Sequence, residues 1–184
     1  MTVQFLINNK GVDAADQTTF DRIDPVTGDV ASTAAAASAA DVKEIAEAAH
    51  AAFPAWAAMG PTQRRKLLNA AADIMDSKSD AFIATMIAET GSTGPWAGFN
   101  VMLAAGVIRE AAAMTTQIGG EVIPSNKPGT LAMGVARPKG VCLGIAPWNA
   151  PVILGTRAIA MPLACGNTVI LKGSEACPKT HRMI

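Results

Sequence analysis

The sequence predicts an α/β protein in which a layer of helices lies beside a partial, Rossmann-like parallel sheet. An apolar run at Val141–Ile145, a helical pattern at Pro151–Ala164 and a second apolar run at Thr168–Leu171 follow one another as strand, helix and strand. Parallel strands need a crossover of this kind, and continuous apolar strands are typical of parallel sheets covered on both faces. Upstream, most of residues 38–118 has the apolar spacing of helices.

The first 35 residues contain short strand-like runs separated by turns. Val3–Ile7 and Thr18–Ile23 are rich in β-branched and aromatic side chains, and the turn signals Asn8–Gly11 and Pro25–Gly28 follow them. The alanine-rich stretch Ala34–Ala40 then favours helix.

The four predicted helices of the layer have recognisable starts and stops. Ser38, with Asp41 three residues later, resembles a capping-box start, and Pro54 is expected to end the first helix. Pro61 fits the first turn of the second helix, and Gly91 fits the end of the third. The predicted helices cover residues 38–53, 61–77, 79–90 and 95–118.

The region after the fourth helix changes character. Two extended pieces around Lys127–Gly129 predict a β-hairpin over residues 121–138. The strand-helix-strand unit follows, and Pro178 marks the start of a further helix.

Composition excludes several classes of function. The 15 Lys and Arg residues balance the 15 Asp and Glu residues, so no net charge attracts nucleic acid or an anionic membrane. The three cysteines lack the spacing of a disulfide framework or a zinc site, and no metal site is expected. No secretory signal is visible, and Arg157 and two prolines interrupt the best apolar stretch. We therefore expect a cytoplasmic protein without a membrane span.

Asn149 is the polar side chain at the predicted turn between the first parallel strand and its helix. An amide at this position is often structural, because it caps the helix and satisfies free N–H groups. The carboxyl end of a parallel strand is also where α/β folds bind ligands, and Pro147 and Pro151 stiffen the turn. A fixed amide N–H can stabilise a developing oxyanion.

Lys172 and Glu175 follow the second strand and are expected at the same edge of the sheet. They are either an ordinary surface pair or a clamp on ribose hydroxyls, the role of an acidic residue in nucleotide-binding βαβ units. The glycine-rich phosphate turn of such units is missing, because Gly144 is the one glycine between Val141 and Asn149.

Candidates for a nucleophile or a base are few. Cys177 and His181 are four residues apart and would meet on a helix, but Pro178 between them favours a helix start instead. Cys142 and Cys165 flank apolar runs, as inert buried thiols do. No GxSxG or HExxH motif occurs.

The run PWNAP at Pro147–Pro151, followed by MPLACGNTVILKGSE at Met161–Glu175, resembles the NAD(P)-dependent aldehyde dehydrogenase superfamily. The resemblance extends upstream through AFPAW at Ala52, ETG at Glu89, GGEVIP at Gly119 and ARPKGV at Ala136, and covers nearly the whole chain. It is strongest to the branch acting on aromatic aldehydes, the salicylaldehyde, vanillin and benzaldehyde dehydrogenases.

The resemblance assigns roles to individual residues. Asn149 would bind the oxyanion of the substrate adduct, and Lys172 and Glu175, with Ser174 beside them, would hold the adenosine ribose of NAD. The strand end and turn would face the cofactor through Ile145, Ala146, Pro147 and Trp148. The pocket for an aromatic aldehyde would be lined by Trp96, Phe99, Ala150 and Arg157. From the residues alone, Trp96 and Phe99 would be read as core packing.

The resemblance also implies a domain organisation. Residues 1–120 and 139–184 would form part of an NAD-binding domain, and residues 121–138 an oligomerisation hairpin. The catalytic domain, with its Cys nucleophile and Glu base, would be absent, so we expect the N-terminal part of an NAD-dependent, salicylaldehyde-type oxidoreductase with weak or no dehydrogenase activity. Alternatives are a residual esterase that uses Asn149, or a non-catalytic oligomerising remnant. A homo-oligomer is expected, and Glu175 favours NAD over NADP because a carboxylate repels a 2′-phosphate.

Overall fold

The computed structural model describes residues 2–184, which form eight strands and six helices in the order four strands, four helices, three strands, and then a helix, a strand and a helix. The strands are β1 (Phe5–Ile7), β2 (Lys10–Val12), β3 (Thr19–Ile23), β4 (Val30–Ala35), β5 (Gly120–Ile123), β6 (Ala132–Val135), β7 (Val141–Ile145) and β8 (Thr168–Lys172). The helices are α1 (Ala39–Ala58), α2 (Pro61–Ser77), α3 (Ser79–Thr90), α4 (Gly94–Met114), α5 (Pro151–Ala164) and α6 (Pro178–Arg182). The predicted α/β class is confirmed.

The strands pair into four two-stranded sheets. β1–β2, β3–β4 and β5–β6 are antiparallel, whereas β7 and β8 are parallel and in register from Val141 opposite Thr168 to Ile145 opposite Lys172. Helix α5 connects the two parallel strands and packs against both. β2 and β4 were not predicted: β4 reads VASTAA, and its alanines favour helix locally, but pairing with β3 overrides that preference.

Helix α4 is the centre of the helical layer, because α2, α3 and α5 all pack against it. Its buried face is built largely from alanines, which allow close approach of the neighbouring helices. Within residues 2–184, α4 is the one helix whose length and mean hydropathy would allow it to cross a membrane. Arg109 and Glu110 lie near its C-terminal end, so the uncharged part of the helix itself, Gly94–Ile108, is shorter than about 18 residues.

Two sequence-based expectations about elements are wrong. α1 continues through Pro54 to Ala58, because Pro54 is exposed and Trp56 anchors the last turn by donating to the Leu163 carbonyl at 3.0 Å. α4 ends at Met114, four residues early, where Thr115 bonds back to Ala112. One face of β7 is open, and Leu143 and Ile145 on that face are 63% and 68% exposed.

The opposite face of β7 lies tightly against α5. A Cβ atom at Gly144 would lie only 2.8 Å from the Cβ of Ala158, so no larger residue fits without a shift of helix or strand. This close approach fixes the height at which α5 begins above the sheet, and with it the position of the turn that carries Asn149.

Candidate functional site

The candidate site lies at the carboxyl edge of the β7–β8 pair. The Ala146 N–H donates to the Lys172 carbonyl at 3.0 Å, which extends the pairing by one step beyond β7. The loops after the two strands therefore leave the sheet at the same level. This is the edge at which open α/β sheets bind ligands, and the geometry places Pro147–Asn149 beside Lys172–Glu175.

Asn149 lies in an exposed bend between β7 and α5. The N-cap residue of α5 is Ala150, which makes no side-chain cap, and Pro151 at the first helical position has no N–H to satisfy. The structural interpretation of Asn149 as a helix cap is therefore wrong. Its carboxamide is free to meet a ligand at the strand end.

Two aromatic side chains at the start of α4 face this bend. The rings of Trp96 and Phe99 stack with centroids 5.7 Å apart and planes inclined by 25°. They are 41% and 42% exposed, so they are not ordinary core residues. The Trp96 indole N–H donates to the Asn149 carbonyl at 3.3 Å, which ties the aromatic pair to the bend. The structure thus brings together residues that are 53 positions apart in the sequence.

Of the other predicted pocket and cofactor-facing residues, some are buried and some are open. Ala150 and Ala146 are buried, whereas Ile145, Pro147 and Trp148 are exposed at the sheet edge. Arg157 is exposed about two turns along α5, and it makes no ion pair within residues 2–184. No hydrogen bond within residues 2–184 joins Arg157 to Trp96 or Phe99.

Lys172 and Glu175 form an exposed pair, with 3.4 Å between Lys172 Nζ and Glu175 Oε2. The backbone N–H of Glu175 and the Lys172 ammonium lower the pKa of the Glu175 carboxyl, so it is ionised at neutral pH. Ser174 is buried between them, and its hydroxyl accepts from the Ala176 N–H at 3.2 Å. Ser174 therefore shapes the turn, while the two charged side chains face outward.

Cys177 and His181 do meet, with Sγ 3.4 Å from Nδ1, although α6 starts at Pro178 as the alternative expected. Cys177 is fully buried, and burial, followed by the nearby Glu89 carboxylate, raises the pKa of its thiol to about 12. The thiol is protonated at neutral pH and is no nucleophile. Cys142 and Cys165 are half-buried rather than buried.

Glu89 has a structural role that the sequence analysis did not predict. Its fully buried carboxylate accepts bonds from Ser32 Oγ at 2.5 Å, from the N–H groups of Lys179 and Thr180 at 2.8 Å, and from Thr180 Oγ1 at 2.7 Å. Arg22 also donates to the Glu89 carbonyl. Glu89 thereby connects β3, β4 and α3 to α6, immediately after the Lys172–Glu175 segment. The available signal was its spacing, because Glu89 shares the buried face of α3 with Phe82 and Met86.

Comparisons with known proteins agree with this architecture. A profile of the aldehyde dehydrogenase family matches residues 12–184. The chain is 60% identical over 182 residues to a vanillin dehydrogenase of Pseudomonas sp. (strain HR199 / DSM 7063), covering 99% of this chain and 38% of that protein. It is 50% identical over 184 residues to a salicylaldehyde dehydrogenase of Pseudomonas putida, covering 100% and 38%.

The fold gives the same result. The crystal structure of a salicylaldehyde dehydrogenase from Pseudomonas putida G7, complexed with salicylaldehyde, superposes with a TM-score of 0.96 at 48% identity, covering 99% of this chain and 38% of that one. The chain thus spans 38% of the length of these relatives. On the match to the family profile, the identities and the shared fold, the chain belongs to the aldehyde dehydrogenase family.

Proposed function

We propose that this chain is the N-terminal part of an NAD-dependent aromatic aldehyde dehydrogenase, in which it supplies the oxyanion donor, the ribose edge and one wall of the aldehyde pocket. The observation that carries the proposal is the contact between Trp96 and Asn149 at 3.3 Å. It holds the exposed Asn149 side chain, which caps no helix, beside a stacked aromatic pair. The names of the relatives, vanillin and salicylaldehyde dehydrogenase, supply the substrate class.

Asn149 would act on the aldehyde oxygen. When a nucleophile adds to the carbonyl carbon, negative charge develops on this oxygen, and a preorganised amide N–H stabilises that charge. Pro147 and Pro151 restrict the bend, and the Trp96 bond to the Asn149 carbonyl fixes its backbone. No thiol within residues 2–184 lies in this bend, so we propose that the nucleophile comes from another part of the protein.

Trp96 and Phe99 would hold the aromatic ring of the substrate. Their stacked, partly exposed faces offer a planar apolar surface, and aromatic rings gain from offset stacking. Arg157, which has no ion-pair partner among the described residues, would attract a ring hydroxyl or the product carboxylate.

The edge after β8 fits the ribose of a dinucleotide. Lys172 and Glu175 provide an exposed donor and an exposed, ionised acceptor 3.4 Å apart, and vicinal hydroxyls accept and donate to such a pair. The exposed apolar side chains of Ile145 and Trp148 lie at the same edge. NAD held at this edge would supply the hydride acceptor for oxidation of the aldehyde. The Glu175 carboxylate would repel a 2′-phosphate, which favours NAD over NADP.

NAD binding to the purified chain tests this assignment. In isothermal titration calorimetry, Lys172→Ala combined with Glu175→Gln should weaken binding by about tenfold, because two bonds of about 0.7 kcal/mol each are lost. The matched control is Lys43→Ala with Glu47→Gln, which removes another exposed ion pair on α1 and should leave the affinity unchanged. Equal affinities of the two double variants would contradict the assignment.

The aldehyde pocket is tested by tryptophan fluorescence. The chain has three tryptophans, Trp56, Trp96 and Trp148. Salicylaldehyde should quench the wild type and the Trp56→Phe variant equally, whereas Trp96→Phe should remove most of the saturable quenching. Saturable quenching that persists in Trp96→Phe would place the aldehyde elsewhere.

A second proposal concerns the hairpin of β5 and β6, which we propose pairs chains into a homo-oligomer. One face carries Val122, Met133 and Val135, which are 60% to 72% exposed, and no other helix or strand of the described chain packs closely on it. Such a surface is typical of an interface. Val122→Lys with Met133→Lys should lower the molar mass measured by light scattering. A monodisperse wild-type monomer would contradict the proposal.

A further inference from the structure

His181 of α6 is buried between two backbone segments of the candidate cofactor site. The residue is 5% exposed and lies against Gly155 of α5 and Gly173, which follows β8. A Cβ atom at Gly173 would lie 2.9 Å from the His181 Cβ, and one at Gly155 would lie 3.0 Å from its Cδ2. The ring therefore occupies space that only glycines at both positions leave open.

The hydrogen bonds of the ring define its protonation. The backbone N–H of Ser174 donates to Nδ1 at 3.0 Å, so Nδ1 must be an acceptor and the neutral ring carries its proton on Nε2. Nε2 is itself buried and has no partner in good hydrogen-bond geometry in residues 2–184, although the Pro151 carbonyl lies close enough to raise the pKa of the ring against the effect of burial. An unsatisfied buried N–H costs free energy, and a side chain without an N–H at this position would avoid that cost.

The Ser174 bond acts on the segment that presents the ribose edge. Ser174 lies in the turn between Lys172 and Glu175, and its two bonds, from its N–H to His181 and from Ala176 to its hydroxyl, hold that turn. His181 is in turn fixed by α6, whose first backbone N–H groups bond to the buried Glu89. A series of hydrogen bonds thus connects the buried Glu89 to the turn that carries Lys172 and Glu175.

We propose that His181, as the neutral Nε2–H tautomer, is a positioning residue that holds the turn from Gly173 to Glu175 in the conformation needed to bind the cofactor ribose. This inference rests on the proposed function, because it concerns the same cofactor edge. It assigns no contact between His181 and the cofactor, since the ring is buried behind the turn.

The charges around the His181 ring determine the pH range in which the hydrogen bond from the Ser174 N–H to Nδ1 forms. Burial lowers the pKa of His181, the Glu89 carboxylate on α3 opposes that effect, and the Lys172 ammonium on β8 reinforces it; the Cys177 thiol, 3.4 Å away, is uncharged. The ring is therefore neutral at pH 7. Protonation would place a hydrogen on Nδ1, opposite the Ser174 N–H, and two donors cannot share a bond. Acid should release the turn.

Two variants separate the acceptor from the bulk of the ring. Asparagine can place its Oδ1 near the position of Nδ1, so His181→Asn should keep the bond to Ser174, whereas His181→Phe fills the space without an acceptor. Hydrogen exchange measured by NMR should show a protected Ser174 amide in the wild type and in His181→Asn. Protection should be lost in His181→Phe, and in the wild type once His181 is protonated. His50→Phe, at an exposed position on α1, is the control.

NAD affinity of the full 184-residue chain provides the second readout. Loss of one positioning bond of about 1 kcal/mol should weaken NAD binding about fivefold in His181→Phe and leave His181→Asn within about twofold of the wild type. A protected Ser174 amide in His181→Phe, or equal affinity of that variant and the wild type, would overturn the inference. Failure of the wild type to bind NAD would refute the proposed cofactor edge instead, and the Ser174 amide would then decide alone whether His181 holds the turn.

Discussion

Replacing Glu89 by glutamine tests whether this buried carboxylate stabilises the fold. The two oxygens accept four bonds, two from hydroxyls and two from the backbone N–H groups of Lys179 and Thr180. A hydroxyl can reverse and accept from the new NH₂ group, but a backbone N–H cannot. In either orientation the amide leaves one buried N–H unsatisfied, at a cost of about 2 kcal/mol. Weaker bonds to the neutral acceptor add about 1 kcal/mol.

We therefore expect Glu89→Gln to lower the free energy of unfolding by about 3 kcal/mol, a large share of a typical total. Urea titration followed by tryptophan fluorescence measures it, with an unchanged m-value as the sign that the two-state comparison holds. Glu47→Gln makes the same chemical change on the exposed face of α1 and should cost less than about 0.5 kcal/mol. If the free energy of unfolding of Glu89→Gln lies within about 0.5 kcal/mol of the wild-type value, the Glu89 carboxylate does not hold α6 to β4 and α3.

Three further outcomes follow from the buried and exposed groups near α6 and the sheet edge. Burial lowers the pKa of His181 in the folded state, whereas a histidine in the unfolded chain has a pKa of about 6.5. The unfolded chain therefore binds the proton first, and the urea midpoint should fall as the pH drops below about 6.5. His181→Phe should reduce this fall, and parallel curves would contradict the assignment. At pH 8 a thiol reagent should label Cys142 and Cys165 in the native chain but not Cys177, whose pKa is raised to about 12; three fast-reacting thiols would refute its burial. Any hydrolysis of p-nitrophenyl acetate at the sheet edge should fall about tenfold in Asn149→Ala and persist in single Cys→Ala variants, whereas an unchanged rate in Asn149→Ala would exclude an oxyanion role in that reaction.

Much of the fold follows from local signals in the sequence. The capping box at Ser38, the prolines that open α2 and α5, and Gly91 in the left-handed conformation after α3 mark element ends that agree with the structure. These signals work because each residue satisfies or avoids a backbone group of its own helix. Pro54 failed as a stop because the cost of a missing N–H is offset elsewhere, by the Trp56 bond to α5.

The arrangement of the candidate site was only partly predictable. The sheet edge follows from the βαβ pattern, since parallel strands bring their following loops together. The contact of Trp96 with Asn149, by contrast, joins α4 to a turn 53 residues later, and no local pattern encodes it. The same holds for Glu89 and His181, whose roles depend on partners brought by tertiary packing.

The buried contacts around α6 couple the stability of the fold to the shape of the cofactor edge. α6 has only five residues, too few to be stable alone, and is held through Glu89 at its start and through His181 at its packed face. The segment between Lys172 and Glu175 is attached to this helix, so its conformation is as well defined as the helix is. Loss of either buried contact should therefore disturb the ribose edge, because Glu89 of α3 holds the start of α6 and His181 of α6 holds the Ser174 turn. A cofactor edge that lies on the surface is in this way set by two side chains in the interior.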